Sequence, residues 1–499
     1  MILQQALYNS FIHNEDRIAL ETDMFTISYK KLWDLMCKLA SFLCYNKISG
    51  EVVAGVFNNE CHYVYFALGV CITDNIFMPI DDRLPSNKIC DIITHSGTRY
   101  VILDKGIPDE LLFKIKNTGV LCINLEDILT NSTPITYSIN TDMFSPTNPI
   151  YLYATSGTTG IPKYVIGRNE SLAHFIKWEI NQFEVSYEDV FLQTTSPSFD
   201  PYLRDIFTPL CAGARIFLPN RQISYSPKLL TSCIAKYNVT FWHTTPTILK
   251  NLLLGRIQAC DFDNMRYILI AGEPVSAKII HCWYAEYNMN TVLVNLYGPT
   301  ETTLAKTYYM IPKDFDEQVV PVGIPLPGVN ILTLPAENKI GEVYIQTQYM
   351  SLGYLNDNYN SSFSSDAITG LRTYKTGDLG YIKNGHLYLT GRIDNQIKKN
   401  GIRIYLEEIA QYIIRFPDIN ITDCCVVYGQ DEVLVAFCLT QDEIPVSLLC
   451  KYLKNYLLPI HIPINYIQMS CLPTTMNGKI DRNELARICS VMLYNKKLT

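Results

Sequence analysis

No Cys-x-x-Cys pair occurs in this chain, although it carries 16 cysteines in 499 residues. The cysteines are scattered; only Cys424 and Cys425 are adjacent, inside an apolar, strand-like run. Reduced, buried thiols of a cytoplasmic protein fit that distribution, whereas a disulfide framework does not. The 8 histidines show no metal-ligand spacing, so zinc chemistry is not expected. There is no basic block: 41 Lys and Arg against 48 Asp and Glu leave a formal charge of −7, which argues against a nucleic-acid surface held by phosphate contacts. No stretch approaches the roughly 18 uninterrupted apolar residues that span a bilayer. Met1-Ile2-Leu3-Gln4-Gln5 lacks the charged-then-apolar order of a secretory leader. Repeats and low-complexity tracts are also missing.

What remains is globular: 48% of residues are hydrophobic and 18% charged. The length exceeds what one hydrophobic core supports, so at least two domains are expected. Helical periodicity in Leu32 to Leu43 and Cys61 to Val70 alternates with short buried runs at Val52 to Val56, Tyr100 to Leu103 and Gly119 to Ile123. The alternation continues through Val190, Arg215, Val239, Tyr267 and Thr291, predicting helix-covered parallel sheets. After about residue 320, Glu342 to Ile345 and His386 to Leu389 alternate like antiparallel strands. Asn400-Gly401 between alternating segments signals a tight hairpin. A boundary near Gly391 to Asn395 would leave a small α+β unit at the C-terminal end.

Tyr151 to Ala154 reads as a buried strand, followed by Thr155-Ser156-Gly157-Thr158-Thr159-Gly160-Ile161-Pro162-Lys163. Glycines let backbone N–H groups approach an anion, hydroxyls add donors and lysine adds a point charge. This is not a Walker loop, because β-rich Tyr164-Val165-Ile166 follows instead of a helix.

This segment resembles the phosphate loop of adenylate-forming enzymes, the superfamily of acyl-CoA synthetases, luciferases and nonribosomal peptide synthetase adenylation domains. The resemblance continues in order through Asn295-Leu296-Tyr297-Gly298-Pro299-Thr300-Glu301, Tyr374-Lys375-Thr376-Gly377-Asp378, Gly391-Arg392-Ile393-Asp394 and Asn477-Gly478-Lys479-Ile480-Asp481-Arg482. It implies an α/β fold: a large N-terminal domain, residues 1–393, of helix-covered sheets with a distorted β-barrel part, and a small mobile α+β C-terminal lid, residues 394–499. The implied reaction joins a carboxylate to the α-phosphate of ATP with Mg²⁺. By resemblance Lys479 bridges the two anions, Glu301 holds the metal, Thr300 contacts the α-phosphate and Tyr297 stacks on adenine. Thr155, Ser156, Gly157, Thr158, Thr159, Lys163, Gly272 and Asn295 complete the nucleotide site. Asp378 accepts the ribose hydroxyls with help from Arg392, and Asp394 is the hinge. Each has a plainer reading: Lys479 in a solvated turn, Tyr297 as a core tyrosine, Asp378 in a Gly-Asp turn.

The segment Ser196 to Phe207 resembles the peptide-synthetase stretch whose Asp holds a substrate ammonium. On that basis Asp200 binds the amine, although Asp200-Pro201 also reads as a helix N-cap with proline at the first position. Carried over by position, the pocket is Pro201, Arg204, His243, Leu269, Ala271, Leu296, Leu304 and Ala305, closed by Lys479. Arg204 departs from the family's usual apolar or aromatic residue. It either pairs with Asp200 one helical turn away, reads a polar or acidic side chain on the substrate, or points to solvent. His243 is also readable as a satisfied core histidine. Leu352 stands where the family often has arginine, which puts that loop in doubt. Because Thr499 follows soon after Arg482, whereas a carrier domain needs about 70 residues, the phosphopantetheine thiol of a separate carrier protein is the expected acceptor. Coenzyme A is the alternative, with acyl- or aryl-CoA ligation or non-catalytic nucleotide binding as rival functions. Lys479→Ala should abolish ATP–pyrophosphate exchange yet spare transfer from a supplied acyl-adenylate; equal loss of both would refute that division of labour.

Overall fold

The computed structural model describes all residues except 1, 133–143, 156–161, 221–225, 256–257, 288–289, 336–338, 356, 367–370, 394–395, 400–401, 430–432, 474–479, 481 and 497–499. Two large sheets carry most of the apolar strands. In the seven-stranded sheet, Val52–Phe57 pairs in parallel with Ile76–Asp81 and with Tyr100–Leu103. All of Val52–Phe57 after its first residue is buried, as a parallel strand covered on both faces requires. Beyond Ile76–Asp81 come Pro149–Thr155 and, antiparallel to it, Lys163–Arg168. The covering helix Glu60–Cys71 is buried over nearly its whole circumference. Its start is tied down by Asp104, whose Oδ1 lies 2.5 Å from His62 Nδ1 while Oδ2 accepts the Asn58 and Asn59 amides.

The nine-stranded sheet has a parallel centre: Ile18–Glu21, Arg215–Phe217, Val190–Leu192, Phe241–Thr244, Tyr267–Ala271 and Val292–Tyr297. Antiparallel Thr26–Ser28 closes one edge and Thr307–Ile311 with Ile324–Pro325 the other. Crevices for ligands open outside the carboxyl ends of parallel strands, where the loops diverge. In this sheet those ends lead to Asp200, Thr244, Gly272 and Tyr297.

The stretch expected to hold a distorted barrel forms a five-stranded antiparallel sheet of Val329–Leu334, Gly341–Thr347, Arg372–Lys383, Phe363–Ser365 and His386–Arg392. The C-terminal region has apolar clusters of its own, centred on Ile409, Ile413, Val426 and Leu449, and on Phe437 and Leu485. Its sheet pairs Asp423–Tyr428 antiparallel with Leu434–Leu439, which runs parallel to Asn465–Met469. Gln396–Lys399 pairs with Ile402–Tyr405, with Lys399 opposite Ile402. The expected hairpin strands are therefore present, while Asn400 and Gly401 lie outside the described residues. Among the described residues no helix is long and apolar enough to cross a membrane.

Among the described residues, one ion pair joins the C-terminal region to the seven-stranded sheet's helices. Lys88, in Ser86–Ser96, places Nζ 2.6 Å from Oε1 of Glu408, in Leu406–Ile414, and both side chains are largely buried. Lys88→Met would leave a buried carboxylate without its cation. Docking of Leu406–Ile414 should weaken by about 3–5 kcal/mol, read as faster amide exchange across that helix, and less in the double variant with Glu408→Leu. Unchanged exchange in Lys88→Met would refute a structural role for the pair.

Candidate active site

A cavity of about 1330 Å³ opens at the carboxyl ends of the parallel strands, and C-terminal residues such as Gln396, Glu408 and Arg482 complete its wall. Three groups of the expected side chains gather around it, although Lys163 and Glu301 are not part of its wall.

At one end, Asp378 and Arg392 are directly opposed in register between Arg372–Lys383 and His386–Arg392. Arg392 Nη1 lies 2.5 Å from Asp378 Oδ1, and the Tyr297 hydroxyl donates to Oδ2 at 2.6 Å. Burial, then the Asp378 charge, pushes Tyr297 well above the usual phenol range, so the hydroxyl stays a donor. Asp378 is nearly buried yet lines the cavity, leaving lone pairs for further donors. Gly272 and Asn295 line the same cavity. Gly272 has φ +94°, a conformation that favours glycine, and Asn295 Nδ2 donates to the Pro321 carbonyl at 2.9 Å.

Next come Thr155 and Lys163, opposed across the antiparallel pair, with Thr155 Oγ1 donating to the Lys163 carbonyl at 3.2 Å. This pairing anchors both ends of the loop expected to hold phosphate; Ser156, Gly157, Thr158 and Thr159 themselves lie outside the described residues, as do Asp394 and Lys479. Lys163 Nζ sits 5.7 Å from the Tyr354 ring centroid, and the Tyr354 hydroxyl donates to Glu301 Oε1 at 2.7 Å. Glu301 is buried in the short 3₁₀ turn Thr300–Thr302. That turn leads into Thr303 and Leu304, both at positive φ, +65° and +58°. The loop is closed by the Lys306 amide donating to the Tyr297 carbonyl at 2.7 Å. A side chain at Gly298 would place its Cβ 2.2 Å from the Leu304 carbonyl oxygen, so that position tolerates glycine alone.

The third group starts at the helix Pro201–Ala212. Pro201 occupies its first turn, but Asp200 makes no capping hydrogen bond and has helical backbone angles itself. Instead Asp200 Oδ1 accepts from Thr300 Oγ1 at 2.8 Å. The structural alternative, a cap, is thus not what this carboxylate does. Arg204 is only 4% exposed, lines the cavity, and its Nε is buried without a hydrogen-bond partner. Pro201, Ala271, Leu296, Leu304 and Ala305 share that wall. Two pocket positions expected from sequence, His243 and Leu269, are fully enclosed and do not line the cavity. His243 is held between Glu179, 3.0 Å from Nε2, and Asp205, 2.8 Å from Nδ1. Burial and then Arg204 push its pKa down, but the two carboxylates outweigh them and the net shift is upward.

Sequence reading missed Tyr354, Glu179 and Asp205. Asp205 lies inside the Ser196 to Phe207 segment and Tyr354 two residues beyond Leu352, but Glu179 sits mid-helix in Asn169–Gln182 with nothing local to mark it.

Residues 10–355 match the AMP-binding enzyme family, and the chain belongs to it: it is an adenylate-forming ligase. It is 28% identical to gramicidin S synthase 2 of Brevibacillus brevis over 82% of this chain, but spans only 9% of that much longer protein. It is 28% identical to a D-alanine–D-alanyl carrier protein ligase of Staphylococcus aureus, over 95% of this chain and 96% of the relative. Among solved structures, the Vibrio cholerae adenylation domain AlmE shares the fold with a TM-score of 0.83 at 20% identity, covering 98% of this chain and 97% of that one.

His243→Leu should leave Glu179 and Asp205 as facing buried carboxylates and reduce unfolding free energy by about 3–5 kcal/mol, measured by urea denaturation. A raised folded-state pKa stabilises below the unfolded value of about 6.5 and loses that contribution as pH climbs through the folded value. The gap between wild type and variant should therefore narrow at alkaline pH; a gap that widens would refute the charged-histidine arrangement.

Proposed function

We propose that this ligase activates an amino acid as its adenylate, with release of pyrophosphate from ATP, and passes the aminoacyl group to the phosphopantetheine thiol of a separate carrier protein. The observation that carries the reading is the Thr300–Asp200 hydrogen bond. It sets a carboxylate suited to an ammonium one hydroxyl away from the residue expected at the α-phosphate. Asp378 shares the cavity.

Joining a carboxylate to a phosphate brings two anions together, so the site must supply donors and positive charge where charge develops. In this reading Asp200 fixes the ammonium and thereby aims the substrate carboxylate. Thr300 contacts the α-phosphate, and Lys479 bridges both anions. The Ser156 to Thr159 loop and Lys163 receive the outer phosphates. Asp378, braced by Arg392 and Tyr297, accepts the ribose hydroxyls, and Gly272 and Asn295 flank the base. Glu301 offers an all-oxygen donor steadied by Tyr354, which fits a hard cation; bound Mg²⁺ would neutralise phosphate charge there. Residues 394–499 act as a lid turning about Asp394, so that Lys479 serves the first half-reaction and the hairpin at Gly401 borders the thiol's path in the second. The carrier protein ligase among the relatives supports an acceptor of that kind.

ATP–pyrophosphate exchange with proteinogenic amino acids, fatty acids and aryl acids tests the reading. Exchange should depend on an amino acid and fall about 100-fold in Asp200→Ala, and the activated group should label a holo-carrier protein and not coenzyme A. Exchange driven only by fatty or aryl acids, or indifferent to Asp200, would overturn it.

A further inference from the structure

We propose that Arg204 receives a second, side-chain carboxylate of the substrate, so that the amino acid activated is an acidic one. The inference rests on the amino-acid reading above and names the substrate class of that same cavity.

A guanidinium keeps its proton at any working pH, and an uncompensated charge in a buried position is strongly unfavourable. Arg204 is 96% enclosed, since its exposure is 4%, yet it makes no ion pair among the described residues and its Nε has no hydrogen-bond acceptor. No carboxylate among the described residues pairs with Arg204. Glu179 binds His243 Nε2 and the Thr208 hydroxyl, and Asp205 faces His243 Nδ1, its two oxygens otherwise buried without a hydrogen-bond partner. Asp200 accepts from Thr300. His243 lies between both carboxylates behind the wall, while Arg204 lines the cavity with its Nε unpartnered, which leaves that side to be satisfied by whatever enters.

Of the expected pocket positions that line the cavity with Arg204, Ala271, Leu296, Leu304 and Ala305 offer no polar group to a side chain. An apolar surround weakens screening, so one charged contact decides binding. Spacing agrees. Asp200 and Arg204 lie one helical turn apart, about 6 Å along the axis, with the acid toward the helix start. An ammonium held by the first and a carboxylate reached through one or two methylenes match that order of charges. A lysine or arginine substrate would meet repulsion. An apolar one would leave the guanidinium buried and bare, the situation in which a polar site discriminates most strongly.

The test is amino-acid-dependent ATP–pyrophosphate exchange with both enantiomers of aspartate, glutamate, asparagine, glutamine, alanine and leucine. Wild type should prefer an acidic amino acid over its amide by about 100-fold or more in kcat/KM. Arg204→Leu should lose at least that factor for the acid and move leucine or an amide to first place, while Arg204→Lys should keep the acid first at reduced kcat/KM. A wild-type preference for a neutral side chain, or an unchanged ranking in Arg204→Leu, overturns the inference and leaves amino-acid adenylation standing. If Arg204→Leu does not fold, the wild-type ranking and Arg204→Lys decide alone. No exchange with any amino acid overturns both readings.

Discussion

A carboxylate withdrawn from water must be met by a donor or a cation, and around this cavity that demand recurs. Asp378 takes Tyr297 and Arg392, Asp200 takes Thr300, Glu301 takes Tyr354, and Glu179 and Asp205 share His243. In almost every case the partners come from segments far apart in the chain. Folding the nine-stranded sheet against the seven-stranded one and the antiparallel sheet is therefore the same event as assembling the site.

This explains what could be read from the chain beforehand. Most parallel strands of both large sheets announce themselves because they are short, apolar and flanked by helical periodicity, and Val52–Phe57 is buried just as that pattern requires; Leu121–Asn124, within the run expected to be buried, has no buried residue. The flanks of Asn400-Gly401 pair as a two-residue turn dictates. Local rules fail where a tertiary partner competes. Asp200-Pro201 has the letters of a helix cap, but Thr300 claims the carboxylate, and no local pattern encodes a hydroxyl a hundred residues away. His243 fits the pocket by position, yet two buried acids draw it behind the wall. The Lys88–Glu408 contact likewise has no sequence signal, since each residue alone reads as an ordinary surface charge on a helix.

The family assignment and the site geometry support each other at different levels. Overall identity to the relatives is modest, 28% for both of those compared, so likeness alone says little about the substrate. The enclosure of Arg204 has a chemical consequence that the rest of the fold must accommodate.

Leu304 matters as backbone as well as side chain. It and Thr303 both hold left-handed angles, a conformation that is disfavoured by about 1–3 kcal/mol for a residue with a side chain and survives only because Gly298 and the Lys306 amide clamp the loop. The direction in which position 304 projects into the cavity is thus set by its neighbours and not by its own side chain. Divergence at this position can resize the chamber without re-aiming it, whereas divergence at Gly298 would dismantle the frame on which every such variant hangs.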